Sequence, residues 1–231
     1  VHTEYSLLDG ACRIQKLVER VKELGQQAVA ITDHGVMFGA VDFYKAARQA
    51  GIKPVIGCEV YVAPRTRLDK QYKVDSSPYH LVLLCENNQG YQNLIKLVSL
   101  AFTEGFYGKP RVDHALLEQY HEGLICLSAC LAGELPRMLA QGDYEQAKQT
   151  ALWYRDLFGP DNYFIEIQDH GIALQRQVLP GLIRLSQETG IGLVATNDAH
   201  YSRREDARMQ SVLICIQTNS TVEQPGDLEF E

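Results

Sequence analysis

LQRQVLPGLIRLSQETGIGLVATNDAHY, residues 174–201, contains a helix pattern followed by a strand pattern. The helix is predicted over Leu174–Thr189, and Leu193, Val194 and Ala195 then read as a buried strand. The apolar run ends in Asn197, Asp198, Ala199 and His200. Residues i and i+2 of a strand point to the same side. Asp198 and His200 can therefore converge on one point, either as a turn cap or as a pair that holds something.

The same unit recurs upstream. A helix over Arg13–Leu24 carries Ile14, Leu17, Val18 and Val21 on one face, and Gly25 stands where a C-terminal cap belongs. AVAITDHG (28–35) reads as a strand, and a helix over Ala40–Ala50 is closed by Gly51. KPVIGCEVYVAP (53–64) is a strand ended by Pro64, and residues 65–78 form a polar surface excursion. YHLVLLCEN (79–87) is a strand, GYQNLIKLVSLAF (90–102) a helix, and residues 103–114 a loop rich in glycine and aromatics. GLICLSAC (123–130) is a strand, a helix covers Tyr144–Phe158, and YFIEIQDHG (163–171) is a strand. With the strand after residue 191 this makes six strands separated mainly by helices, which predicts parallel pairing. A closed or nearly closed β/α barrel is the first expectation and an open doubly wound sheet the second. No GxGxxG follows the first strand, which weakens a dinucleotide-binding reading.

The bulk numbers fit one large α/β domain over residues 1–231. The net charge of −7 argues against a free-standing DNA reader with a broad basic face. Carboxylates that hold divalent ions would reverse that sign locally. No run approaches the roughly 20 apolar residues of a membrane span, and no signal-peptide pattern opens the chain. The start at Val1 suggests a fragment or a processed product. Six scattered cysteines without a CxxC suggest buried thiols in a reducing, cytoplasmic compartment.

Residue types suited to metal ligation gather at the carboxyl ends of the strands: Asp33-His34, Glu59, Cys130, Asp169-His170 and Asp198-His200. In β/α barrels the active site lies at that end. Asp33-His34 alone is equally compatible with a helix N-cap. Glu59 lies inside an apolar strand, where a carboxylate is expensive unless paired or metal-bound. Cys130 by itself reads as a small buried hydrophobe, with Cys126 and Ser128 on its side of the strand as core residues. His80 opens its strand and reads by position as structural. Asp169-His170 reads as a cap or a substrate contact, and His114 and His121 as solvated. His2 and Asp9 belong to an opening segment, with His2 at the end of a first strand whose body lies upstream. A set rich in histidine and carboxylate, with one thiol, suits zinc or manganese. Clustered ions suit phosphoester hydrolysis.

HTEYSLLDG (2–10), AITDHG (30–35), IKPVIGCEVYV (52–62), NNQGYQNLIKLVS (87–99), EGFYGKPRVD (104–113), LSAC (127–130) and VATNDAHY (194–201) stand in this order. With DARMQSVLICIQT (206–218), they resemble the PHP (polymerase and histidinol phosphatase) domain of bacterial C-family DNA polymerase III α subunits. The segments around Tyr91 and over Phe106–Arg111 favour that type over a stand-alone histidinol phosphatase. The resemblance implies a distorted (β/α)7 barrel with up to three ions, Zn2+ or Mn2+. It implies His2, Asp198 and a bridging Glu59 on one ion. It places Glu59, His80 and Cys130 on the next, and Asp9, His34 and His200 on the third. The family opens with His-x-His, whose first histidine would precede residue 1. The first strand would then be truncated and the first metal short of a ligand.

The implied activity is a metal-dependent phosphodiesterase, a 3′→5′ proofreading exonuclease on a DNA primer-template 3′ end in the bacterial cytoplasm. Glu59, Asp198 and His200 would be catalytic, and Arg65, Lys109 and Arg111 would hold backbone phosphates. An alternative is a metal-stabilised scaffold that braces the remaining polymerase domains and binds a separate proofreading exonuclease. A small-molecule phosphatase of the histidinol phosphate type is a third reading. Nucleotidyl transfer belongs to another domain of the parent polymerase.

Overall fold

A computed structural model describes residues 1–223, so the last eight residues of the expected 1–231 domain lie outside the described residues. The strands are β1 (Ala28–Ile31), β2 (Lys53–Val62), β3 (Tyr79–Cys85), β4 (Arg111–Val112), β5 (Leu124–Leu127), β6 (Tyr163–Ile167) and β7 (Gly192–Ala195). They form one sheet in the order β1-β2-β3-β5-β6-β7, with β4 beside the far end of β2. The helices are α1 (Ile14–Glu23), α2 (Ala40–Ala50), α3 (Asn88–Thr103), α4 (His114–Tyr120), α5 (Glu134–Ala140), α6 (Tyr144–Phe158), α7 (Ala173–Thr189) and α8 (Ala207–Thr218). The architecture is a mixed α/β, curled, distorted barrel-type fold. The expected six strands are present. The two-residue β4 and the helices α4, α5 and α8 lie where no regular element was predicted.

The expectation of parallel pairing throughout is wrong at β3, which runs antiparallel to both β2 and β5. The cause is the segment between Val62 and Tyr79, which contains no helix. Without a crossover the chain turns back alongside the strand it has just left. The reversal places the beginning of β3 at the same rim as the carboxyl ends of the other strands.

Period-two alternation then sorts the side chains. Cys58, Val60, Leu81, Leu83, Cys126, Tyr163 and Ile165 join the main core. Glu59 and Tyr61 alternate with these on β2, and His80 and Val82 do so on β3. A smaller core of α1, α2 and β1 packs the predicted face of Ile14, Leu17, Val18 and Val21 against Phe43, Ala46 and Ala47. The start of α3 is set by Asn87, whose side chain accepts from the Gly90 N–H. A Cβ on Gly90 would meet the Gly123 carbonyl oxygen at 1.7 Å, so only glycine allows this approach.

β7 is an edge strand, not the buried strand expected. Leu193 is 40% exposed, and only Val194 packs against the small cluster of Val82, Leu127 and Ala129. Val1 and His2 lie between the two edges of the sheet. The Thr32 N–H donates to the Val1 carbonyl (2.9 Å), and the His2 N–H donates to the Ala199 carbonyl (2.9 Å).

Candidate metal centre

His34 follows β1, Glu59 lies on β2, Cys130 follows β5, and Asp198 and His200 follow β7. His80 reaches the same rim only because β3 is reversed: it stands opposite Tyr61, and Glu59 stands opposite Val82. His2 and Asp9 are positioned by Asp33, which stands among the polar residues at the strand ends but outside the implied ligand set. The buried Asp33 carboxylate accepts from the Thr3 N–H (2.6 Å), the Thr3 hydroxyl (2.8 Å) and the Ser6 hydroxyl (2.7 Å). These bonds fold the opening segment back over β1. Gly10 completes the turn, since a Cβ there would stand 2.2 Å from the Thr3 carbonyl oxygen. Three non-glycine residues at this rim adopt positive φ: Leu8 (62°), beside Asp9; Ala129 (64°), beside Cys130; and Asp198 itself (43°). Such backbone strain gathers where the surrounding structure over-determines a functional geometry.

The side chains converge on Glu59, which is 2% exposed. Its Oε1 lies 2.5 Å from His80 Nδ1 and 3.1 Å from His34 Nδ1, and its Oε2 lies 3.7 Å from His2 Nε2. His2 Nε2 also lies 3.0 Å from Asp198 Oδ1. Asp9 Oδ2 joins His34 Nε2 (2.7 Å) and His200 Nε2 (3.5 Å). Among the described residues, three groups each bring ligand atoms within 4.8 Å of one another: His2, Glu59 and Asp198; His34, Glu59 and His80; His2, His34 and His200. Despite the short distances, Glu59 Oε1 and His34 Nδ1 are buried without a hydrogen-bond partner. The two atoms lie 3.1 Å apart without the alignment of a donor and an acceptor, which suits a cation held by both. The donor set of histidine and carboxylate fits a divalent metal ion.

The electrostatics are dense. Burial works to raise the Glu59 pKa, but His80 and His34 outweigh it and hold the carboxyl well below its ordinary range. Burial lowers His34, yet Glu59 and Asp9 outweigh it and raise the imidazole to about 10. His2 is pushed down to about 4, first by burial and then by His34. Burial also pushes the Cys130 thiol far up, reinforced by Glu59 and Asp198. Its Sγ lies 3.8 Å from His80 Nδ1, at the margin of the cluster.

The expected phosphate contacts divide. Lys109 lies 5.3 Å over the Tyr61 ring and lines the cleft in front of the cluster. Arg111 is 0% exposed, and its guanidinium donates to the carbonyls of Gly105, Asp75, Arg67 and Asp69. It is a clamp on the 65–78 excursion, and the phosphate role expected for it is withdrawn. Arg65 is likewise engaged in a bidentate pair with Asp75 (2.9 and 2.6 Å). Asp169 caps its own turn through the Gly171 N–H, while His170 bonds the Asn197 carbonyl and lines the cleft. His114 is not simply solvated: it stacks on Trp153 and approaches Glu134 at 3.3 Å. His121 stays at a helix end, bonded to the Glu118 carbonyl.

The PHP domain family model matches residues 1–170. The chain is 52% identical to DNA polymerase III subunit alpha of Treponema pallidum and 46% identical to that of Thermus aquaticus. These alignments cover 100% and 99% of the chain but only 20% and 19% of the relatives, so the chain spans about a fifth of their length. A candidate metal-dependent phosphoesterase of known structure from Bifidobacterium adolescentis shares the fold, with a TM-score of 0.51 and 13% identity over 83% of this chain and 84% of that one. A match over about three quarters of the residues, with every candidate ligand except Asp198 and His200 inside it, shows that the chain belongs to the PHP domain family.

Proposed function

We propose that this PHP domain is a metal-dependent phosphodiesterase that trims the 3′ end of DNA within a bacterial DNA polymerase III α subunit. The observation that carries the reading is the convergence of His2, His34, His80 and Asp198 on the buried Glu59, whose Oε1 has no hydrogen-bond partner. His2, Asp9, His34, Glu59, His80, Asp198 and His200 would hold up to three ions of zinc or manganese, with Cys130 at the margin. When bound, such ions supply Lewis-acid charge and lower the pKa of water. Glu59 stays ionised in the buried site because its histidine neighbours outweigh desolvation. The Asp198 and His200 side chains, on the turn after β7, would orient water and the scissile phosphate. Lys109 would meet the backbone phosphate behind it.

A second reading has its own support. His2, Glu59 and Asp198 come from three separate segments, including both sides of the gap between β1 and β7. An ion shared by them would brace the barrel, and with it the remaining polymerase domains and a docked proofreading exonuclease. The test uses the full-length protein loaded with Mn2+ or Zn2+ and a primer with a mismatched 3′ end. Removal of the mismatch, lost in Asp198→Asn, supports the phosphodiesterase. An intact primer, with a fold that weakens on chelation, leaves the scaffold. A phosphomonoester assayed in parallel separates both from a small-molecule phosphatase.

A further inference from the structure

The cleft in front of the cluster measures about 640 Å³, within the range of small-ligand sites and far more than a phosphate group needs. Its rim carries apolar side chains that the fold leaves in solvent. Leu7 is 75% and Phe38 67% exposed, and both line the cleft. Phe102 lines it too and is stacked with the exposed Phe106, with centroids 6.2 Å apart. Leu7, Phe38 and Phe102 thus share one cleft, and Phe106 extends it from Phe102. The Tyr5 ring packs on Gly39, one residue from Phe38, and Gly35 packs on Pro110, beside Lys109. Lys109 is the one Lys or Arg in the cleft lining among the described residues.

An occupant of this cleft has to offer flat apolar faces and one anionic group, and it has to reach a cluster suited to phosphate oxygens. Single-stranded DNA meets all three demands. In a duplex the base faces are already stacked and would not be offered. Beyond the cluster, Lys109 is the one rim cation among the described residues, so phosphate contacts there cannot supply most of the affinity for the nucleotides that follow. Base faces have to supply it. We propose that Leu7, Phe38, Phe102 and Phe106 form a stacking track for the last unpaired nucleotides of a DNA strand, with Lys109 on its backbone and its terminal phosphodiester at the Glu59 cluster. This rests on the phosphodiesterase reading and adds what it selects: frayed single-stranded ends, without sequence preference.

The test compares two substrates on the full-length, Mn2+-loaded protein: a single-stranded oligonucleotide and methyl p-nitrophenyl phosphate, a diester without a base. Phe38→Ala and Phe102→Ala should each lower kcat/KM for the oligonucleotide by about 5- to 150-fold, the range for losing one base stack. They should leave the small diester unchanged, and Phe38→Trp should retain oligonucleotide turnover. Equal losses on both substrates, or no loss on either, would overturn the track. A second readout needs no catalysis. An oligonucleotide with 5-iododeoxyuridine at its last three positions is photo-cross-linked to the same protein in EDTA. Cross-links at Phe38, Phe102 or Phe106 support the track, and cross-links confined to other parts of the chain overturn it. Rim cross-links on a protein that hydrolyses neither substrate would keep the track and sink the phosphodiesterase reading.

Discussion

Glu59 is the residue on which the site depends. It faces His34 and His80 through one oxygen and His2 through the other. Glu59→Gln keeps the shape but removes the charge that balances three imidazoles and any shared cation. Bound metal per chain should fall by at least one ion, and turnover of any phosphodiester should fall on the order of 100-fold; elemental analysis and initial rates would show it. As a ligand, His34 would make metal binding pH-dependent. Glu59 and Asp9 outweigh its burial and raise it from 6.5 to about 10 in the metal-free protein. A raised histidine pKa stabilises the metal-free fold fully below about 6.5, and that contribution is lost as pH rises through about 10. An ion bound to His34 has to displace this proton. Affinity for Mn2+ should therefore rise with pH across this window, up to about tenfold per unit for one proton. A flat affinity between pH 7 and 9 would place His34 outside the coordination.

At the scale of elements, β3 and the excursion before it matter most. Because β3 is reversed, its first residues meet the carboxyl ends of the other strands, and His80 enters the cluster. The excursion is held by the four carbonyls around Arg111 and by the Arg67 pairs with Glu104 and Asp113. Arg111→Met should strip those carbonyls of their buried donor and cost about 3 kcal/mol or more. That corresponds to a fall of roughly 6–12 °C in Tm for a domain of this size. If the melting temperature does not move, the excursion is not held by this clamp. Lys109 and Pro110 share the clamped loop, so the wall of the cleft should loosen with it.

Over the whole molecule, the candidate ligands come from the opening segment, the β1 turn, β2, β3 and the turns after β5 and β7. Ions at the cluster would tie these together at one rim, across the gap between β1 and β7. Mass action sets the effect at about 2.7 kcal/mol per ion when free metal is 100 times its Kd. Thermal melting at fixed free Mn2+ should therefore shift upward as metal rises, and EDTA should reverse the shift. A Tm insensitive to metal from micromolar to millimolar would mean that the fold closes without it.

Much of this protein is legible in its sequence because local chemistry carries it. The face of Ile14, Leu17, Val18 and Val21 requires an amphipathic helix. Gly25 and Gly51 stop helices, and Glu59 inside an apolar strand signals a partner, because an isolated buried carboxylate is too costly. The clustering of ligand types at strand ends follows from the barrel pattern. Other features depend on contacts between distant segments. His80 by its position alone reads as structural, and only the resemblance puts it among the ligands; the reason is the direction of β3, which is set by which strand the chain returns to. Arg111 looks like a phosphate contact because its charge is visible in sequence, while the carbonyls that surround it are not. Asp33 resembles a helix cap until Thr3 and Ser6 arrive to donate to it. Local periodicity determines the elements and the chemistry available. Strand pairing and burial, which are long-range, decide which of those side chains meet.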